Sequence, residues 1–292
     1  MSAVALTTLL TACTSGVAAP NASEQSLDPS IQLPPQNQEL WVLPVDQYVP
    51  SVAQSRKETY AAALLIQGCL AERGMNVPVP RPNLDDGGDR GVRDLFTPEV
   101  AERYGYRSPS WVDSMDMTDP WIAFLNRPLS DEYIAAEDEC YAHVEVPAFD
   151  SEMLNYALSF SNAAFVGAMR DEEVLETAAE WNQCMSGVGI EDLPDGPDGM
   201  PTESMRNRLG LDQTPDAGQG VVISPDEREI AVADATCRET TGYADVLYQA
   251  NWDRQVRLLA ENSTALKDIG EKIDKVDAEL TQVIAEHAQP ES

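Results

Sequence analysis

Apolar residues recur at helical spacing through most of the chain. Tyr60, Ala63, Leu64 and Leu70 mark one amphipathic helix, and Val174, Leu175, Ala178 and Trp181 mark another. Gly74 and Gly189 follow these runs where a helix favours a left-handed C-terminal cap. Pro78, Pro80 and Pro194 then block continuation. Ser130 and Ser224 are predicted N-caps, each followed by Asp and Glu in the first turn. From Leu259 the pattern becomes a heptad, with Leu259, Leu266, Ile273 and Leu280 at one position and Ile269, Val276 and Val283 at the other. Asp268 with Lys272 and Glu271 with Lys275 are expected i,i+4 pairs. Asn262 interrupts the seam and Gly270 weakens it by about 1 kcal/mol. Such a seam serves self-association or a partner helix, or else a long helix laid back on its own domain.

The segments between these helices repeat in order. Cys69-Leu-Ala-Glu-Arg-Gly74 matches Cys184-Met-Ser-Gly-Val-Gly189, Arg103-Tyr-Gly105-Tyr106 matches Arg208-Leu-Gly210-Leu211, and Ala136-Glu137-Asp-Glu-Cys140 matches Ala233-Asp234-Ala-Thr-Cys237. Three shared pieces in one order indicate a duplication. The expected fold is mainly α: two disulfide-stapled helical half-repeats with long polar loops, and a long C-terminal helix. The halves run over 41–147 and 148–250, and the last helix over 251–289, as a possible coiled coil.

The N-terminus bears on address. A short apolar run from Ala3 to Leu10 leads into Leu10-Thr11-Ala12-Cys13, which looks like a bacterial lipobox. The expectation is a lipoprotein-type signal peptide over 1–12 and a diacylglycerol on Cys13. No Lys or Arg precedes the apolar run, a departure from the usual signal. Residues 13–40 are rich in Ser, Asn, Gln, Ala and Pro, and are expected to form a flexible tether spanning roughly 30 Å. An even set of further cysteines, Cys69, Cys140, Cys184 and Cys237, then implies disulfides in an oxidising compartment. Four cysteines allow three pairings. The repeat makes Cys69 with Cys140 and Cys184 with Cys237 the economical one. A zinc site is the rival, but no Cys-x-x-Cys occurs and the only histidines are His143 and His287.

The string Ala231-Val-Ala-Asp234-Ala-Thr-Cys237-Arg-Glu-Thr-Thr-Gly242-Tyr243, with Trp181-Asn-Gln-Cys184-Met185 ahead of it, resembles acidic extracytoplasmic lipoproteins of high-GC Gram-positive bacteria (actinobacteria). The resemblance covers roughly residues 41 to 266. Leu70 stands where that family usually has Met. It implies an address on the outer face of the cytoplasmic membrane and a helical fold, and no reaction.

Charge narrows the partners. The 292 residues hold 19 Lys and Arg against 50 Asp and Glu, a net charge of -31. Nucleic acid, which needs a cationic face, is excluded as a partner. With 43% hydrophobic residues the chain can form a core. No nucleotide-binding glycine motif and no EF-hand loop occurs. The acid pairs Asp85-Asp86 and Asp195 with Asp198 are unremarkable among so many carboxylates. Trp111, Trp121 and Tyr133 are candidates for a glycan or peptide groove, or for core. No catalytic residue, cofactor or metal ligand is assigned. The expected role is a non-enzymatic envelope binding or interaction module. The alternatives are a ligand-binding sensor or transport accessory with a pocket between the halves, and a carboxylate-dependent wall-polymer hydrolase. The expected partners are the membrane, through the lipid, and a protein or second copy at the C-terminal helix.

Overall fold

The computed structural model describes residues 31–85, 96–213 and 221–288. The lipobox-like segment, Cys13 and most of the expected tether lie outside the described residues. The described chain is mainly helical, with a long C-terminal helix and two disulfides. The helices are α1 (Val52–Glu72), α2 (Pro98–Tyr104), α3 (Pro109–Asp113), α4 (Pro120–Leu125), α5 (Asp131–Tyr141), α6 (Ser151–Ala168), α7 (Glu172–Met185), α8 (Glu203–Leu209), α9 (Pro225–Thr240) and α10 (Tyr243–His287).

Local chemistry sets the ends of these elements. Ser51 accepts from the Gln54 amide at 3.1 Å while the Gln54 side chain accepts from the Ser51 amide at 3.0 Å, a reciprocal capping box on α1. Ser130 and Ser224 cap α5 and α9 as the sequence predicts. Gly74 and Gly189 take φ of 81° and 83° after α1 and α7. Gly74 follows the Arg73 C-cap of α1 directly, whereas Gly189 stands three residues beyond the Ser186 C-cap of α7. Gly105 and Gly210 also have positive φ, at the second repeated motif.

Both disulfides follow the economical pairing. Cys69–Cys140 joins the end of α1 to α5 with 5.9 Å between α-carbons, and Cys184–Cys237 joins α7 to α9 with 5.8 Å. Each sits on a small apolar cluster: Ile66 and Leu70 beside the first, Trp181 and Met185 beside the second. The bridges close stretches of 71 and 53 residues, so each restricts the unfolded chain by about 4 kcal/mol in the chain-entropy model.

α10 is the spine. The heptad seam is buried within the chain: Leu259, Leu266, Ile273 and Leu280 are fully covered, in one core with Tyr60, Ala61 and Leu64 of α1 and Ala157 of α6. The laid-back helix, rather than an open coiled-coil seam, is what the described residues form. The physical reason is that α1 and α6 supply the apolar faces that a second copy would otherwise bring. Asn262 is the kink, at φ -123° and ψ 20°. Gly270 lies against the Tyr48 ring, 3.6 Å from where a Cβ would stand. The i,i+4 pair on this helix is Lys275–Glu279 at 3.7 Å; neither Asp268–Lys272 nor Glu271–Lys275 closes among the described residues.

Two boundaries differ from the sequence reading. α10 starts at Tyr243, directly after the left-handed Gly242, with no break at residue 250. The chain is also docked before residue 41. Leu33 packs against both large cores, the Asn37 amide donates to the Tyr248 hydroxyl at 3.1 Å, and that hydroxyl donates to the Val42 carbonyl at 2.8 Å. The Val45 amide donates to the buried Gln255 at 2.8 Å. These polar groups on α10 give a low-complexity segment fixed partners. No helix among the described residues is long and apolar enough to cross a membrane.

Candidate functional site

The two halves meet where α2 of the first lies on α9 of the second. Small residues permit the approach: Ala101 on α2 and Ala231 and Ala235 on α9 are buried together. α9 carries two fully buried acids beside this seam, Glu227 and Asp234.

Asp234 is a hub. Its Oδ1 accepts from the Trp181 indole N–H at 2.9 Å and from Arg238 Nε at 2.7 Å. Its Oδ2 accepts from an Arg238 terminal nitrogen at 3.0 Å and from the Tyr106 hydroxyl at 3.2 Å. Arg238 and Asp234 are one helical turn apart, so α9 presents the ion pair preformed. Arg238 also reaches the Pro197 carbonyl at 2.8 Å and lies over the Phe96 ring. Burial first, then the Asp234 charge, pushes the Tyr106 hydroxyl far above its usual range. That phenol is a fixed donor. A carboxylate already accepting four hydrogen bonds is poorly placed to act as a general base or metal ligand. The hub ties α7, α9 and the turn after α2 together.

Glu227 makes the second tie. Its Oε1 accepts from the Tyr106 amide at 3.2 Å and faces Arg107 Nε at 3.5 Å. Gly105, at φ 60°, passes beneath the side chain; a Cβ there would stand 2.8 Å from Glu227 Cδ. Oε2 is buried without a hydrogen-bond partner. Burial pushes the Glu227 carboxyl above the usual carboxylate range, with Arg107 pulling the other way.

A groove of about 710 Å³ opens beside the hub. It is lined by Gln36 to Glu39, the start of α2, and Arg238, Glu239 and Asp245 around the α9–α10 junction. Both halves contribute to it. Glu39, Glu99, Glu239 and Asp245 surround Phe96 and Arg238 there. A smaller depression of about 460 Å³ has Met169, Val174, Leu175 and Ala178 as its apolar lining, with Asp195, Asp198 and Tyr243 beside them. Burial, then Asp198, raises the Tyr243 hydroxyl to about 12.

The residues singled out by sequence fall apart spatially. His143 and His287 are exposed. Trp121 is core, edge-on to Tyr60 at 5.8 Å and stacked with Phe124. Tyr133 accepts from Arg127 at 2.8 Å, and Arg107 lies over Trp111. Asp85 is exposed, while Asp86 lies outside the described residues. The structure shows no group of three or more His, Cys, Asp or Glu arranged to hold a metal among the described residues. In the sequence, Asp234 and Tyr106 stand out only as parts of repeated motifs. The available signal was Asp234 with Arg238 four residues on, flanked by the small residues Ala231 and Ala235.

A further feature is an absence of charge. From Met153 to Met169 the chain has no Asp, Glu, Lys or Arg. α6 buries Ala157, Ser161, Ala164 and Ala168, and turns Asn155, Tyr156, Leu158, Ser159, Asn162, Ala163 and Val166 to solvent. Comparison with protein-family models, with characterised proteins and with solved structures finds no match.

Proposed function

We propose that this chain is an envelope lipoprotein, held by a lipid on Cys13 at the outer face of the cytoplasmic membrane. It works there as a non-enzymatic interaction module. The lipobox-like Leu10-Thr11-Ala12-Cys13 and the resemblance to actinobacterial lipoproteins support the address. Two disulfides fit an oxidising compartment. The observation that carries the interaction role is the outer face of α6: Tyr156, Leu158 and Val166 exposed on an uncharged helix, in a chain of net charge -31. Charge depletion around exposed aromatic and aliphatic side chains is the composition of an interface core.

Cell fractionation tests the address. Cys13→Ala moves the protein out of the membrane fraction; retention after a carbonate wash rules out the lipid anchor. Photo-crosslinking from Val166 in intact cells tests the module. A discrete protein adduct at that position, lost when the probe is moved to exposed Glu229 on α9, supports the role; adducts to lipid alone remove it.

The groove favours a second reading, a ligand-binding accessory with its site between the halves. Its carboxylates suit a small cationic ligand. Titration with simple organic ammonium ions, followed by calorimetry, tests it, and Glu239→Gln weakens any heat observed there.

A further inference from the structure

We infer that Cys184–Cys237 is an exchangeable bridge, and that Cys184 is the sulfur on which a low-molecular-weight thiol forms a mixed disulfide. Cys69–Cys140 is the purely structural one. The inference goes beyond the interaction module and does not depend on it.

The two bridges look alike in sequence and differ in access. Cys140 is fully buried, and Cys69 is half-buried in a cluster with Ile66, Leu70 and Met75. Cys237 is buried too, at 6% exposure, but Cys184 is exposed on the last turn of α7. Exchange needs a thiolate to reach one sulfur of the pair, so access sets the rate. Charge acts in the same direction. A thiolate approaching the first bridge meets Glu137, Asp138 and Glu139, which run directly into Cys140, and Glu72 beyond Cys69. Of these, Glu139 meets Arg73 at 2.9 Å. No charged residue lies within three positions of Cys184 on either side, and the nearest carboxylate on α7 is Glu180. On α9, Asp234 is neutralised by Arg238, and Glu239 lines the groove.

The exchange balances with the thiol as its only co-reactant. The incoming thiolate bonds to Cys184 Sγ, the Cys184–Cys237 bond breaks, and the electron pair leaves on Cys237, which takes a proton from water. A second thiol then displaces Cys184 and departs with the first as their own disulfide. Two thiols are oxidised as one bridge is reduced.

The fold is equipped to survive the opening. Trp181 on Asp234 at 2.9 Å, and Arg238 on both Asp234 and the Pro197 carbonyl, hold α7, α9 and the intervening loop without the bridge. Cys237 therefore stays beside Cys184 and closes the bridge again when the thiol is withdrawn. At the first bridge the polar tie is exposed: Arg73 reaches the Ala136 carbonyl at 3.1 Å and Glu139 at the surface.

The native full chain, with any thiol on Cys13 blocked beforehand, is incubated with reduced glutathione as the probe, trapped with iodoacetamide and mapped by mass spectrometry. Glutathione is found on Cys184, and Cys237 is alkylated at least about tenfold faster than Cys69 or Cys140. Far-UV circular dichroism stays unchanged, and dialysis against thiol-free buffer restores the bridge. Opening of Cys69–Cys140 first, or at the same rate, overturns the inference. So does an adduct confined to Cys237, or a Cys184–Cys237 bridge that opens only when denaturant unfolds the chain.

Discussion

The Trp181 indole N–H donates to Asp234 Oδ1 at 2.9 Å, joining the helix that holds Cys184 to the helix that holds Cys237. A hydrogen bond and a covalent bridge thus hold the same two helices, α7 and α9. The bridge acts mainly on the unfolded chain, whereas the hydrogen bond fixes how the folded helices meet.

Asp234→Ala removes the acceptor of four hydrogen bonds and strands Arg238 and the Trp181 N–H. Breaking one side of such a buried pair costs about 3–5 kcal/mol. Chemical denaturation should show that loss with both disulfides intact. A change within about 0.5 kcal/mol, as at ordinary surface sites, would show that the hub is dispensable.

Gly105→Ala places a Cβ at positive φ and against the Glu227 carboxylate. The expected cost is about 2 kcal/mol or more. Gly74→Ala has the same kind of φ with open space around it, and should cost about 1 kcal/mol. The ordering of the two midpoints in urea checks the close approach independently of backbone strain.

The Glu227 carboxyl is raised above its ordinary value of 4.5. The folded state holds this proton more tightly than the unfolded one, so the group's contribution to stability is complete below pH 4.5. It falls away as pH rises through the raised value. Glu227→Gln lacks that titration. The stability of the parent minus that of the variant should therefore decrease from pH 4.5 upward, as read by urea melts at stepped pH. A difference that grows with pH would mean that Arg107 outweighs burial.

Leu266→Ala opens a cavity among α1, α6 and α10, at a cost of about 2–5 kcal/mol. It should leave sedimentation unchanged, because the seam faces inward. A changed oligomeric state would place an intermolecular contact on α10.

The fold was legible wherever one short-range rule decides. Ser130, Ser224 and Gly74 bound their helices as expected, whereas Gly189 takes its positive φ four residues past the end of α7; the repeated Cys motifs give the observed bridges. The direction of the α10 seam was not legible, because a heptad of Leu and Ile looks the same against α1 as against another copy. Residues 33–40 read as tether because their partners, Tyr248 and Asp245, lie more than 200 positions away. The hub around Asp234 was hidden for the same reason: Tyr106 is 128 positions distant and Trp181 is 53. Burial of an acid cannot be read from its neighbours in sequence when long-range donors neutralise it.

α10 serves two tasks, and the change from one to the other falls between Val256 and Leu259, before the kink at Asn262. Its earlier part completes the cluster with Trp41 and Val174, and its later part completes the core with Tyr60 and Leu64. Lys57 meets Asp277 across 220 positions. During synthesis, the apolar face of α1 therefore waits for Leu266 to Ile284, made after every other described helix. The first-made half cannot mature ahead of the second. Slow closure of so long a loop is a kinetic burden, and the Cys69–Cys140 bridge can form within that waiting half and hold α1 and α5 together until the spine arrives.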